Sequence, residues 1–198
     1  MRNPIRLKNL RARFLPYFSI GLALVVMRRP VLEGFMLGGP LILVGVLLRG
    51  WGAGHLVKND ALTTSGPYAH IRHPLYLGTL FVATGFALVL GGYATLAVLA
   101  VVWPWFVFQY FPRKDLAESA RLAVLHGETF VRYRAEVPAL WPQLRAIRGA
   151  GEGSASRPGS EAAGWKLGRY SDNNELGTVL AIAAALLVLV LRMGWARS

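Results

Sequence analysis

Five apolar runs separated by polar segments are the main pattern of this 198-residue chain. A helix rises about 1.5 Å per residue, and the hydrocarbon core of a bilayer is about 30 Å thick. Runs of this length predict an all-α polytopic membrane protein with about five transmembrane helices. The first run is the weakest, since its 14 residues give a helix of only about 21 Å. The runs cover residues 14–27, 31–48, 75–90, 94–111 and 176–191.

The third and fourth runs are predicted to form a tight antiparallel hairpin, because only residues 91–93 separate them. A hairpin brings the polar connector, residues 49–74, to the same side of the membrane as the charged segment, residues 113–134. Apolar residues at helical spacing predict that the charged segment is a separate interfacial helix with a break at Gly127. In the second run, Pro40 predicts a kink or break unless a neighbouring helix satisfies the freed carbonyl.

Composition along the chain predicts three parts. Residues 1–148 form a membrane core of about four spans plus interfacial helices, and the Gly/Ser/Ala-rich residues 149–164 form a flexible linker. Residues 165–198 comprise a polar patch and a C-terminal transmembrane helix. The uniform Ala, Leu and Val content of that helix indicates a plain lipid-facing span.

Charge and hydropathy place the chain in a membrane and away from nucleic acid. The sequence is 54% hydrophobic with a net charge of +12, and its basic residues lie mostly at the ends of apolar runs and in loops. That distribution is typical of membrane topology and contact with anionic lipid. The basic N-terminus predicts a bacterial inner-membrane protein with its N-terminus and both polar segments in the cytoplasm, although Arg28 and Arg29 then lie outside. The oligomeric state stays open.

The candidate chemistry is concentrated in residues 64–78, where polar and backbone-bending residues stand between apolar runs. Gly66-Pro67 is a turn dipeptide, and Pro74 restricts the backbone of His73. The chain has no cysteine, which excludes thiolate chemistry and disulfides. Its four histidines lack the spacing of a metal site, so we expect no metal. These residues alone predict only a cavity shared by the connector and the charged segment.

Two motifs identify a family. Residues 66–78 read GPYAHIRHPLYLG, and residues 118–142 read ESARLAVLHGETFVRYRAEVPALWP. Their order and spacing, with a hairpin between them, resemble the isoprenylcysteine carboxyl methyltransferase family and its phospholipid methyltransferase relatives. The resemblance covers about residues 50–142.

The resemblance implies an integral membrane enzyme that uses cytosolic S-adenosylmethionine to methylate a lipidic or membrane-embedded acceptor. It implies that Glu118 and Arg72 are catalytic. It also implies a set of cofactor-binding residues: Gly66, Pro67, Tyr68, His73, Pro74, Tyr76, Gly78, Glu118 and Tyr133. Two positions depart from the motif, since Ser119 stands where the family has a second glutamate and Phe130 where it has a tyrosine.

Two other functions remain open at this point. Membrane sterol reductases share a similar Arg-His and Tyr-x-x-Tyr-x-x-x-Val-Pro pattern, which suggests an NADPH-dependent reductase. Alternatively, a non-catalytic membrane scaffold would keep the fold while Ser119 and Phe130 mark lost chemistry. If the chain is a methyltransferase, the lack of an identifiable general base favours a carboxylate acceptor, such as a prenylcysteine-like group, over a lipid amine or hydroxyl.

Overall fold

A computed structural model describes residue 30 and residues 32–57, 61–146 and 164–194. The first apolar run lies outside these residues, as does the predicted linker except Gly164. The described chain is helical and contains no strand, which confirms the all-α prediction. The α-helices are α1 (Leu32–His55), α2 (Pro74–Leu90), α3 (Gly92–Ala97), α4 (Trp103–Trp105), α5 (Phe111–Glu136), α6 (Leu167–Asp172) and α7 (Glu175–Gly194).

Three helical stretches are long and apolar enough to cross a membrane. They are Leu32–His55, Thr95–Glu136 and Glu175–Met193, and the 17-residue α2 is a shorter apolar helix. These four stretches correspond to the second to fifth apolar runs. The predicted total of five spans is untested, since the first run is outside the described residues.

Helices α1 and α2 pack with their backbones in contact. A Cβ atom added to Gly45 would lie 2.7 Å from the carbonyl oxygen of Gly78, and one added to Gly34 would lie 2.7 Å from that of Val89. Glycine at these positions removes the side chain that would separate the helices, as in other membrane helix pairs. Helix α1 also continues through Pro40 without ending there.

The predicted hairpin turns at Gly91, whose φ of 67° favours glycine. The chain then runs as one helical stretch, in which π-helical turns at Val98–Val102 and Phe106–Tyr110 flank Trp103–Trp105. Such turns relieve the loss of a backbone hydrogen bond at a proline like Pro104.

The charged segment is not a separate helix, and that prediction is wrong. Helix α5 begins at Phe111, directly after a π-helical turn, and carries the apolar stretch into the charged one. Pro112 does not end the helix, although it lies inside the continuous helical stretch and has no N–H to donate. The predicted break at Gly127 is confirmed, since this residue has a φ of 53° and a ψ of −131° inside α5.

The polar patch that precedes α7 caps the carboxyl end of α1. Asn173 Nδ2 donates hydrogen bonds to the carbonyl oxygens of Ala53 at 2.8 Å and Leu56 at 3.1 Å. The backbone N–H of Lys166 donates to the carbonyl oxygen of Gly54 at 2.9 Å. These bonds satisfy carbonyls that the end of any helix leaves without a partner. They explain how α1 extends to His55, beyond the apolar run.

Helix α7 is mostly exposed on its sides, as a lipid-facing span requires, but its first residue is buried. The carboxylate of Glu175 accepts hydrogen bonds from Arg49 Nε and Nη2, both at 2.8 Å. Arg49 Nη1 donates to Thr79 Oγ1 at 2.6 Å, so this guanidinium joins α1, α2 and α7.

Candidate functional site

The two polar segments meet, as predicted, and main-chain hydrogen bonds hold them together. The backbone N–H of Arg72 donates to the carbonyl oxygen of Pro138 at 2.9 Å, and that of His73 donates to Ala139 at 3.1 Å. The hydroxyl of Tyr133 donates to the carbonyl oxygen of Tyr68 at 2.8 Å. The connector is therefore fixed against the carboxyl end of α5 and the loop that follows it.

Asp115 is the centre of a charged cluster between these segments. Its Oδ1 atom lies 2.8 Å from Arg72 Nη1 and 2.8 Å from His73 Nε2. Arg72 Nε also donates to the carbonyl oxygen of Val137 at 3.1 Å. Sequence reasoning missed Asp115, although it lies three residues before Glu118 on the predicted helix, a spacing that places both acids on one face.

Glu118 is the more open acid of the cluster. Its Oε1 atom accepts a hydrogen bond from the hydroxyl of Tyr76 at 2.7 Å, and its Oε2 atom lies 3.4 Å from His73 Nδ1. The Glu118 side chain is 46% exposed, whereas that of His73 is only 10% exposed. Both ring nitrogens of His73 thus face carboxylates. An ionised carboxylate accepts about four hydrogen bonds, so Glu118 retains capacity for a ligand.

Aromatic rings fix the orientation of the His73 imidazole. The ring of Phe111 meets it edge to face with centroids 5.3 Å apart, and the ring of Tyr76 lies 5.4 Å away. Packing of this kind, with a hydrogen bond at Nε2 and the Glu118 carboxylate 3.4 Å from Nδ1, leaves the imidazole little rotational freedom. His73 is therefore preorganised.

The cluster borders a cavity of about 430 Å³. Of the predicted site residues, those lining it are Tyr68, Arg72, His73, Pro74, Tyr76, Glu118 and Tyr133. Sequence reasoning missed most of the apolar wall, which comes from the connector, the first turn of α2 and α5: Leu56, Val57, Leu62, Leu75, Leu122 and Leu125. No apolar motif in the connector would have identified these residues. The wall depends on how the segments face each other.

Three predicted site residues, Gly66, Pro67 and Gly78, lie outside the cavity lining. Gly66 has a φ of 61°, and a Cβ atom there would lie 2.6 Å from the ring of His55. A Cβ atom on Gly78 would lie 2.5 Å from Arg49 Cγ, at the contact with α1. Both glycines therefore position the cavity walls, and direct contact of these three residues with a cofactor stays a prediction.

The cavity floor contains buried aromatic residues. Burial, reinforced by the nearby Tyr133 side chain, raises the pKa of Tyr68 far above its ordinary value, so its phenol stays neutral. Phe130 is 2% exposed and packs with Tyr133 and Val137. The phenyl ring that stands in place of the family's tyrosine is thus an apolar part of the wall.

Comparisons with known proteins address the resemblance directly. The family model for phospholipid methyltransferase matches residues 35–118, from α1 to Glu118. The protein-S-isoprenylcysteine O-methyltransferase of Schizosaccharomyces pombe is 30% identical over 135 residues, covering 65% of this chain and 55% of that protein. The predicted resemblance is confirmed. The chain is thus similar to isoprenylcysteine carboxyl methyltransferases.

Two further relatives of the chain differ in their names. The cobalt-zinc-cadmium resistance protein CzcN of Cupriavidus metallidurans is 38% identical over 116 residues, 58% of the chain and 50% of that protein. The human protein-S-isoprenylcysteine O-methyltransferase is 28% identical over 101 residues, 48% of the chain and 34% of that enzyme. The chain spans about half the length of the first two relatives. No solved structure matches it significantly.

Within the described ranges, no group of three or more His, Cys, Asp or Glu residues is arranged to hold a metal ion.

Proposed function

We propose that this chain transfers a methyl group from S-adenosylmethionine to a lipidic or membrane-embedded acceptor. The observation that carries the proposal is the cavity at which Glu118, His73 and Arg72 converge from the two polar segments, beside apolar helices. The O-methyltransferase names of several relatives support it.

The cavity residues fit the donor in size and in charge. A cavity of about 430 Å³ lies within the usual range for small-molecule sites. When bound, S-adenosylmethionine supplies an electrophilic methyl group on a positively charged sulfur. Glu118 is the partly exposed carboxylate suited to a ligand cation, whereas Arg72, which also lines the cavity, is suited to a ligand carboxylate.

The surroundings of His73 favour an acceptor that needs no deprotonation. His73 is the imidazole in the cluster, and both of its nitrogens face acids, Asp115 and Glu118. A carboxylate acceptor is already ionised at neutral pH, whereas an amine or hydroxyl acceptor needs a general base. A lipidic carboxylate, which would become a methyl ester, is therefore the acceptor that needs no base from His73 or from His126, the second imidazole at the cavity. The apolar wall provides contact for its hydrocarbon part and excludes water.

The test is binding and turnover by the purified full chain in lipid nanodiscs. We expect S-adenosylmethionine to bind by calorimetry, and radiolabelled donor to label a carboxylate-bearing lipid in a total membrane extract. Glu118→Gln and His73→Ala should each weaken binding at least about tenfold, because each removes a charge or donor at the cavity. Asp172→Asn is the control, since Asp172 is exposed on α6.

The outcomes separate the possible functions. Unchanged donor affinity in both site variants would contradict the site. Binding of NADPH in competition with the donor would favour the reductase, and donor binding without any labelled product would favour the scaffold.

A further inference from the structure

The acid missing at position 119 has a counterpart one helical turn earlier. Ser119 is 3% exposed, and its Oγ atom lies 3.5 Å from both Asp115 Oδ1 and Arg72 Nη1. Residues four apart on a helix lie one above the other on the same face. Side chains from positions 115 and 119 therefore reach the same guanidinium.

We propose that Asp115 replaces, from one turn away, the family's second glutamate at the Ser119 position, and that it positions Arg72 and His73 for the methyl donor. This inference rests on the proposed function. Asp115 does not line the cavity, so it acts through the two residues that do.

Charge is the reason that an acid is required at this place. The Arg72 side chain is only 10% exposed, and a cation removed from water needs a counter-ion and hydrogen-bond partners. The Ser119 hydroxyl is neutral and 3.5 Å away, a distance at which a hydrogen bond is weak. Asp115 supplies the missing charge at 2.8 Å.

The same carboxylate also sets the direction of His73. Asp115 Oδ1 accepts from His73 Nε2 at 2.8 Å, which turns Nδ1 towards Glu118 on the cavity side. One acid thus holds the cation and the imidazole in fixed positions. It follows that Ser119 does not mark lost chemistry in this chain, since the acid is present at another position.

Moving the acidic side chain from position 115 to position 119 tests the inference. The variants are Asp115→Asn, Ser119→Glu and the two combined, with Asp172→Asn as the matched control on an exposed acid. Asp115→Asn should raise the Kd and KM for S-adenosylmethionine by about tenfold to a hundredfold, the usual effect of losing hydrogen bonds between charged groups. The KM for the lipid acceptor should stay unchanged. A merely structural defect would not separate the two KM values.

Ser119→Glu should reverse the effect only where Asp115 is absent. In the combined variant it should recover about tenfold or more of the lost donor affinity, because the two positions are coupled through one guanidinium. In the wild-type background it should lower the melting temperature, since two carboxylates then compete for Arg72. The inference is overturned if Asp115→Asn binds donor normally, or if Ser119→Glu fails to improve it.

Melting temperature keeps this inference separate from the proposed function. If the wild type neither binds the donor nor transfers methyl groups, the proposed function fails. The role of Asp115 is still tested, because Ser119→Glu should lower the melting temperature of the wild type and raise that of Asp115→Asn. Should Asp115→Asn not fold, a folded combined variant supports the inference. If the combined variant does not fold although the Ser119→Glu protein does, the inference is overturned.

Discussion

Removing the charge of Glu175 should destabilise the whole helical assembly. The Glu175→Gln substitution keeps the size of the side chain but breaks a bidentate ion pair, because Arg49 donates to both carboxylate oxygens at 2.8 Å. Glu175 is 1% exposed, so no water replaces the lost oxygen. Arg49 would remain as a largely buried cation whose counter-ion is gone.

The expected cost follows from the burial of this pair. Breaking a buried ion pair by removing one partner typically costs about 3–5 kcal/mol. Arg49 is 17% exposed and keeps its contacts with Thr79 and Leu75, so the lower end applies, about 3 kcal/mol. A cost of 1 kcal/mol lowers the melting temperature of a domain of this size by about 2–4 °C. The variant should therefore melt about 6–12 °C below the wild type.

Thermal unfolding in one detergent, followed by near-ultraviolet circular dichroism, measures this difference. Asp172→Asn, a charge loss at an exposed acid, is the control and should melt with the wild type. The combined Arg49→Met and Glu175→Leu variant removes both charges, so it should lose less stability than Glu175→Gln. A Glu175→Gln protein that melts within about 1 °C of the wild type would refute the reasoning, because the buried charge would then cost nothing.

Three further predictions concern single positions, each measured as a change in melting temperature. Gly45→Ala should cost about 1–3 kcal/mol, since its Cβ atom would lie 2.7 Å from the carbonyl oxygen of Gly78. Gly39→Ala is the control and should be neutral or stabilising, because a Cβ atom there has no atom within 4 Å. Equal effects of the two variants would contradict the close packing of α1 and α2. Asn173→Ala should cost about 1–3 kcal/mol, because two carbonyls at the carboxyl end of α1 lose their donor. Asn173→Asp should be no more stable than Asn173→Ala, since an aspartate carboxylate has no N–H to donate. Gly127→Ala should cost about 1–3 kcal/mol, because a φ of 53° with a ψ of −131° is a conformation open to glycine alone. An unchanged melting temperature would show that α5 straightens at this position at no cost.

The sequence was sufficient for features that depend on neighbouring residues. The apolar run at 75–90 predicted α2 nearly to the residue, and the short gap after it predicted the hairpin. That hairpin was enough to place the connector and the charged segment on one side, where the structure joins them. The break at Gly127 was also predictable, since glycine weakens a helix wherever it stands.

Features that depend on helix rotation and distant contacts were not predictable. The charged segment was expected to be a separate helix because its composition changes at Pro112, but π-helical turns before Phe111 let the backbone continue. Asp115 had no motif of its own, and its importance depends on which face of α5 meets Arg72. The partner of Glu175 is Arg49, 126 residues away, and no local pattern connects them.

The C-terminal segment supports the cavity although it lies beyond the region that matches the methyltransferase model. Leu56 and Leu75 both line the cavity, and each has its carbonyl held through this segment. Asn173 donates directly to Leu56, and Arg49, which Glu175 fixes, donates to Leu75 at 3.3 Å. A residue whose backbone is held in this way has less freedom to move its side chain. The C-terminal segment thus acts on the cavity through the carboxyl end of α1 and the first turn of α2, and losing its anchors would loosen these two walls of the cavity.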